Sequence, residues 1–370
     1  MQQKLARAHR IGLDVGGRSF ERADVRAALT KAPNTIEVVD VPDAQEPRAG
    51  EVVIGSMAVG ICGSDYHFLS GHLTEAAGGG DEAFPKIQGH EVGGTIVAVG
   101  PDCRDALEPG QQVAMHPLSS CGHCYPCRVG RGNVCDNFQL IGIHVDGGLQ
   151  ERLRLPAAQV VATGVDSAPV AAMAEPVSIA VRAVDRAGVE EGERVVVLGA
   201  GPIGQSVCLV AGERGASILV VDPQEGRLAL SEAMGAESLV WTDRDQVVAD
   251  AREWSGGEGP PVVIDATGVP DAVRAMVDMA ASAGRVVQVG MSGEEVPLRI
   301  GSFTEKELDM RGVCCCNDAE FERAVEAVER NSETVAKWIS HEFPLERAPE
   351  AMDFAMSNPG EVMKVVIRDD

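Results

Sequence analysis

No stretch of about 18 consecutive apolar residues occurs in the 370-residue chain, and a helix needs roughly that many to cross a bilayer, so no membrane-spanning helix is expected. Basic side chains are also scarce: 32 Lys and Arg stand against 56 Asp and Glu, a net charge of −24. A surface this acidic repels phosphate backbones and anionic lipid, and neither nucleic acid nor membrane is expected as a partner. Residues 1–26 lack the apolar segment of a signal peptide and are read as an extension without an assigned role. The ten cysteines cluster in metal-like spacings rather than spreading along the chain. Together these features favour thiolates in a reducing, cytoplasmic compartment over a disulfide framework. The length is enough for two domains, each with its own core.

The most informative stretch is Arg194-Val-Val-Val-Leu-Gly-Ala-Gly-Pro-Ile-Gly204. An apolar run ended by glycine suits a strand buried on both faces of a parallel sheet. Gly199 permits a tight turn, Gly201 lets the backbone approach a pyrophosphate, and Gly204 lets helix and strand pack closely. The N–H groups opening the following helix, expected at 203–213, would face the phosphates. A second strand ends at Asp222, placed to accept hydrogen bonds from a ribose 2′-hydroxyl and to repel a 2′-phosphate. That predicts NAD in preference to NADP. A turn-forming aspartate before Pro223 would leave the cofactor choice open. Strand-like runs recur at 195–198, 218–221, 238–240, 262–264 and 285–289, with helical patterns at 226–234, 246–254 and 272–280. This alternation predicts an α/β, doubly wound parallel sheet.

The first half reads differently. Short strand patterns separated by Gly and Pro suggest an all-β, barrel-like domain; one begins within 27–41 and another covers 51–59. A glycine-rich loop follows at Gly78, Gly79 and Gly80. Cys62, His90 and Glu91 are a possible metal set, because thiolate and imidazole are preferred zinc ligands. Spacing alone leaves a buried cysteine and an ordinary His-Glu pair as the alternative. Cys121, Cys124, Cys127 and Cys135 form C-x2-C-x2-C-x7-C, which can enclose one tetrahedral zinc and pin a loop with little apolar content. Cys314, Cys315 and Cys316 read as small buried hydrophobes. A helix at 319–330 has Phe321, Ala324, Val325 and Val328 on one face, and 362–367 looks like a closing strand.

In this order, Cys-Gly-Ser-Asp at 62–65, Gly-His-Glu at 89–91, the four-cysteine lobe and the glycine fingerprint resemble a zinc-dependent medium-chain dehydrogenase/reductase of the alcohol dehydrogenase superfamily. The resemblance runs from about Ala27 to the C-terminus. It implies a discontinuous GroES-like β-barrel catalytic domain (27–183 and 318–370), a Rossmann domain (184–317), and an active site in the cleft between them. It also implies two zinc ions per chain. Cys62 and His90 match ligands of the catalytic ion. Glu91 is similar to a glutamate that binds it directly or on exchange. Glu175 occupies a ligand position where sorbitol-type members carry glutamate. Cys121, Cys124, Cys127 and Cys135 match the structural site. Ser64 matches the hydroxyl that touches the substrate oxygen, His67 the distal proton acceptor, and Asp65 the carboxylate that steadies the histidine ligand. Gly199, Gly201, Pro202, Ile203, Gly204, Asp222, Arg227, Thr267, Val289 and Gly290 are the implied cofactor positions.

The activity implied is NAD-dependent oxidation of a secondary alcohol on a polyol, cyclitol or sugar acid, by alkoxide formation at zinc and hydride transfer. A homodimer or homotetramer is expected. Sorbitol dehydrogenases carry an arginine and an aromatic residue near the position of Cys314–Cys316. Neither is present here, which puts an ordinary sorbitol-like substrate in doubt. The alternatives are a threonine-type amino-alcohol or aminocyclitol dehydrogenase on the same fold, and a non-catalytic zinc-stabilised binding protein.

Overall fold

The computed structural model describes residues 24–44, 46–73, 83–103 and 107–369. The extension therefore lies outside the described residues up to position 23, as does the glycine-rich loop at Gly78–Gly80. The first strand, Asp24–Ala32, opens before the Ala27 boundary and pairs antiparallel with Thr35–Pro42. The run at 27–41, where a short strand pattern begins, falls within this hairpin. Asn34 makes the reversal with φ +56°, a conformation that Asn tolerates better than most residues.

The first domain is built on a seven-stranded sheet. Glu51–Gly60 pairs antiparallel with Glu91–Val99, with Arg152–Pro156 and with the returning tail strand Lys364–Arg368. That tail strand also runs parallel to Ile339–Pro344. The chain therefore leaves this sheet and comes back to complete it. Its core packs Val52, Ile54, Ile96, Val113, Leu149 and Val365 with the helix Ala348–Ser357.

The second domain is a six-stranded, fully parallel sheet. Outward from the central Arg194–Leu198, one side carries Ser217–Asp222 and Glu237–Val240. The other carries Val262–Asp265, Arg285–Gln288 and Asp309–Gly312. This is the doubly wound strand order, with its switch point beside the strand that ends in Gly199. Val195, Val196, Val197 and Leu198 are all buried, as an uninterrupted apolar strand covered on both faces requires.

The helix Ala174–Ala187 joins the domains. Its first turn carries Glu175 and it ends at Gly188, φ +61°. It packs on the helix Asp318–Arg330, where Arg182 meets Glu320 at 2.9 Å with both side chains buried. Glu320 also accepts from the Asn317 N–H while Asn317 caps the Glu320 N–H, so one carboxylate starts the helix and docks it. Phe321, Ala324, Val325 and Val328 are buried, the face expected from the sequence. Among the described residues, no helix is long and apolar enough to cross a membrane.

Candidate active site

Cys62 precedes the short helix Gly63–Leu69, and His90 and Glu91 lie at the start of the strand Glu91–Val99. One ligand atom from each of Cys62, His90 and Glu91 lies within 4.8 Å of the other two. Asp65 is fully buried. One of its oxygens accepts the Cys62 N–H at 2.9 Å and the other lies 3.6 Å from His90 Nδ1. Asp65 thus caps the helix that presents Cys62 and faces the ring that presents Nε2. Ser64 Oγ is 3.3 Å from that Nε2. His67 lies one turn further along the same helix, exposed, with its ring edge-on to His72 at 6.4 Å.

Glu175 is outside the three-residue cluster but faces the same charges. Burial chiefly pushes its carboxyl up to about 7, with Glu91 and Asp65 adding and His90 and Lys364 opposing. Burial pulls His90 down, yet the Asp65 carboxylate and Cys62 reverse this and hold the imidazole well above its ordinary value. Tyr66 is raised by burial and then by Asp65, Glu91 and Cys62. A thiol and three carboxyl groups around one buried lysine make a field that favours a cation. The donor set of sulfur, imidazole and carboxylate suits zinc.

The four-cysteine lobe is closed. The sulfurs of Cys121, Cys124, Cys127 and Cys135 come together, with Cys124 Sγ 3.4 Å from Cys127 Sγ and 3.6 Å from Cys135 Sγ. Zn–S bonds of about 2.3 Å in a tetrahedron give S···S edges of about 3.8 Å, so the fit is close. The N–H groups of His123 and Cys124 hold the Cys121 thiol down to about 6, and the Cys127 N–H lowers Cys124. Thiolates are the form a metal takes.

Across the cleft, the helix Pro202–Glu213 starts at Gly201. A Cβ on Gly204 would fall 1.8 Å from the Gly199 carbonyl oxygen, whereas one on Gly201 would meet nothing within 4 Å. Gly204 is thus set by helix–strand contact, and Gly201 opens onto a cradle that fits a pyrophosphate. Asp222 accepts the N–H of Ala200 and of Gln224, each at 2.8 Å. Thr267 and Gly290 lie at the carboxyl edge; a Cβ on Gly290 would strike Gly268 N at 2.1 Å, and one on Gly199 would meet Thr267 Cγ2 at 2.6 Å. Val289 is half-buried beside them. Pro202 and Ile203 line a cavity of about 220 Å³ together with Cys62, Glu91, Lys364 and Arg227. Arg227 lines the same cavity, and its Nη2 donates to the carbonyls of Pro359 at 2.6 Å and Val362 at 3.0 Å in the returning tail.

Two residues were not read from the sequence. Lys364 Nζ donates to both oxygens of Glu91 at 2.7 Å. Asp265, fully buried, accepts from Thr267 N and Oγ1, Gly268 N and Gln288 Nε2, and so ties two cofactor-side loops together. An aspartate closing the apolar run at 262–264 was a visible signal, since buried carboxylates need several donors.

Comparison with known proteins agrees with this arrangement. Residues 48–165 match the alcohol dehydrogenase GroES-like domain and residues 202–330 the zinc-binding dehydrogenase family. The chain is 34% identical to L-galactonate-5-dehydrogenase of Escherichia coli (strain K12), over 87% of this chain and 92% of that protein. It is 31% identical to sorbitol dehydrogenase of Ovis aries, over 94% and 97%. A solved alcohol dehydrogenase, rspB of Escherichia coli CFT073 in complex with NADH, superposes with a TM-score of 0.82 at 30% identity, covering 93% of this chain and 99% of that one. Those matches and the two-domain fold make the chain a dehydrogenase acting on CH–OH groups, a member of the zinc-dependent medium-chain alcohol dehydrogenase family in its polyol and sugar-acid branch.

Proposed function

We propose that the protein oxidises a secondary alcohol on a polyol, cyclitol or sugar acid to the ketone with NAD. The observation that carries this reading is the single cavity whose wall holds Cys62 and Glu91 from one domain and Pro202 and Ile203 from the other. It puts the cation-seeking cluster and the dinucleotide turn on one space. When bound, zinc supplies a Lewis acid that acidifies an alcohol, and NAD supplies the hydride acceptor.

Cys62, His90 and a glutamate, Glu91 or Glu175, would hold the catalytic ion, and the four-cysteine lobe would hold a second, structural one. Asp65 fixes the Cys62 backbone through its N–H and faces the His90 ring with opposite charge, which favours the aim of both ligands. Ser64 Oγ receives the substrate proton, and His67, exposed one turn away, releases it to solvent. Gly201 and the N–H groups after it hold the pyrophosphate, and Asp222 selects the unphosphorylated ribose. Lys364 neutralises Glu91, so that carboxylate adds less negative charge to the space where the substrate oxygen would sit. The protein works in the cytoplasm as a dimer or tetramer; support for assembly comes from the strand Asp309–Gly312, last in its sheet, with Met310 exposed.

NAD reduction measured with sugar acids, polyols, cyclitols, aminocyclitols and threonine tests the reading. Turnover on one of the first three groups is expected. Turnover confined to threonine or aminocyclitols would replace the substrate class.

A further inference from the structure

Cys314, Cys315 and Cys316 follow the edge strand Asp309–Gly312 at the carboxyl end of the parallel sheet. Of the three, only Cys316 is the buried hydrophobe the sequence suggests; its Sγ lies 3.5 Å from His116 Nε2. Cys314 is exposed and Cys315 half-buried. In an extended chain neighbouring side chains point to opposite faces. Here Cys315 has φ +48°, the left-handed region that non-glycine residues seldom occupy. Cys314 Sγ and Cys315 Sγ accordingly lie 3.8 Å apart. The pair is held in place: buried Asn133, inside the four-cysteine lobe, donates to the Cys314 carbonyl at 2.7 Å.

The separation decides between two chemistries. A disulfide needs sulfurs about 2.05 Å apart and Cα atoms usually about 4.4–6.8 Å apart, whereas adjacent Cα atoms across a trans peptide are only about 3.8 Å apart. A three-coordinate, pyramidal atom bridging two sulfurs by bonds of about 2.3 Å at an angle of about 100° needs an S···S edge of about 3.5 Å, which a small turn of either thiol reaches from the 3.8 Å present. The hydrogen bond from the Cys315 thiol lowers Cys314 to about 7, with Arg182 adding to it against burial. Part of Cys314 is therefore thiolate at neutral pH, the form that attacks soft centres.

We propose that Cys314 and Cys315 form a two-thiol site for a thiophilic centre of the trivalent arsenic class, built from sulfurs that belong neither to the four-cysteine lobe nor to the Cys62, His90 and Glu91 group. A monosubstituted trivalent arsenical fits because two protein sulfurs complete its coordination. With phenylarsine oxide, two As–S bonds form, the arsenic oxygen leaves as water with the two thiol protons, and arsenic stays trivalent. No oxidant or reductant is needed.

The test treats the zinc-loaded protein with phenylarsine oxide and reads the intact mass, the peptide map and the zinc content. One phenylarsenic group per chain is expected on the peptide containing both residues, with no zinc released. A dithiol such as dimercaptopropanol should remove it and an equal excess of monothiol should not. Cys314→Ser and Cys315→Ser should each lose the adduct, at least tenfold in the amount retained. The wild-type peptide map stands whether or not the variants fold. An adduct mapping to another peptide, zinc release in step with arsenic uptake, or undiminished adduct in both variants would overturn the assignment.

Discussion

Lys364 Nζ sits 2.7 Å from each carboxylate oxygen of Glu91, with both side chains buried, and it also donates to the Ile61 carbonyl at 3.1 Å. The pair bridges the tail strand to the strand that carries the candidate zinc ligands. Burial lowers the lysine's affinity for its proton, and the charge of Glu91, then Cys62, more than restores it, so Lys364 is held above its ordinary value.

Removing one partner leaves the other charged and buried. Lys364→Met should cost about 3–5 kcal/mol in denaturant unfolding of the zinc-loaded protein. The double variant Lys364→Met/Glu91→Gln should recover part of that loss. Simple addition of the two single effects would show that the pair is not coupled.

The lobe at 121–135 has little else to hold it. The short helix Tyr125–Arg128 within it buries no residue, so metal replaces a core there. Cys124→Ser should reduce bound zinc by one ion per chain and open new protease cleavage within the lobe. Unchanged zinc content would refute four-thiolate ligation.

Asp185 supplies a pH dependence away from the metal sites. Burial raises its pKa, but Arg323 and Arg214 outweigh that and hold the carboxyl below its ordinary value. A depressed carboxyl contributes stability above its unfolded pKa of about 4, and that contribution is lost as pH falls through the folded value. Asp185→Asn should cost about 1 kcal/mol at pH 7, the scale of a partly screened pair. The difference from wild type should shrink as pH falls below the unfolded value of about 4. A difference that does not change with pH would contradict the pairing.

Asp222 has two tasks, clamping the glycine turn through Ala200 N and selecting the ribose. Asp222→Ala should lower kcat/KM for NAD relative to NADP by about tenfold, the loss of about 1.4 kcal/mol of discrimination. Measured on both cofactors, an unchanged ratio would leave Asp222 as a clamp only.

Much of this was legible in the sequence because its signals are local. The run 195–204 carries strand, turn and helix start within ten positions, and the four cysteines fall within one lobe. The helix at 318–330 is capped and patterned by its own residues. What escaped depends on pairing across the chain. Lys364 reads as an ordinary strand lysine until the tail folds against Glu91, 273 positions away. The bonds from Arg227 Nη2 to the carbonyls of Pro359 and Val362 likewise form only once the tail has returned. Cys314 and Cys315 look apolar as a run, and only a positive φ brings their sulfurs together. Those features arise from tertiary contacts and one backbone angle, neither of which side-chain periodicity encodes.

The most direct test of the account is bound zinc and NAD-linked alcohol oxidation in Cys62→Ala, measured on a substrate the wild type turns over. The account predicts that one zinc per chain remains, in the four-cysteine lobe, and that oxidation falls by on the order of a thousandfold, about 4 kcal/mol of transition-state stabilisation. Two zincs still bound, or undiminished turnover, would contradict it.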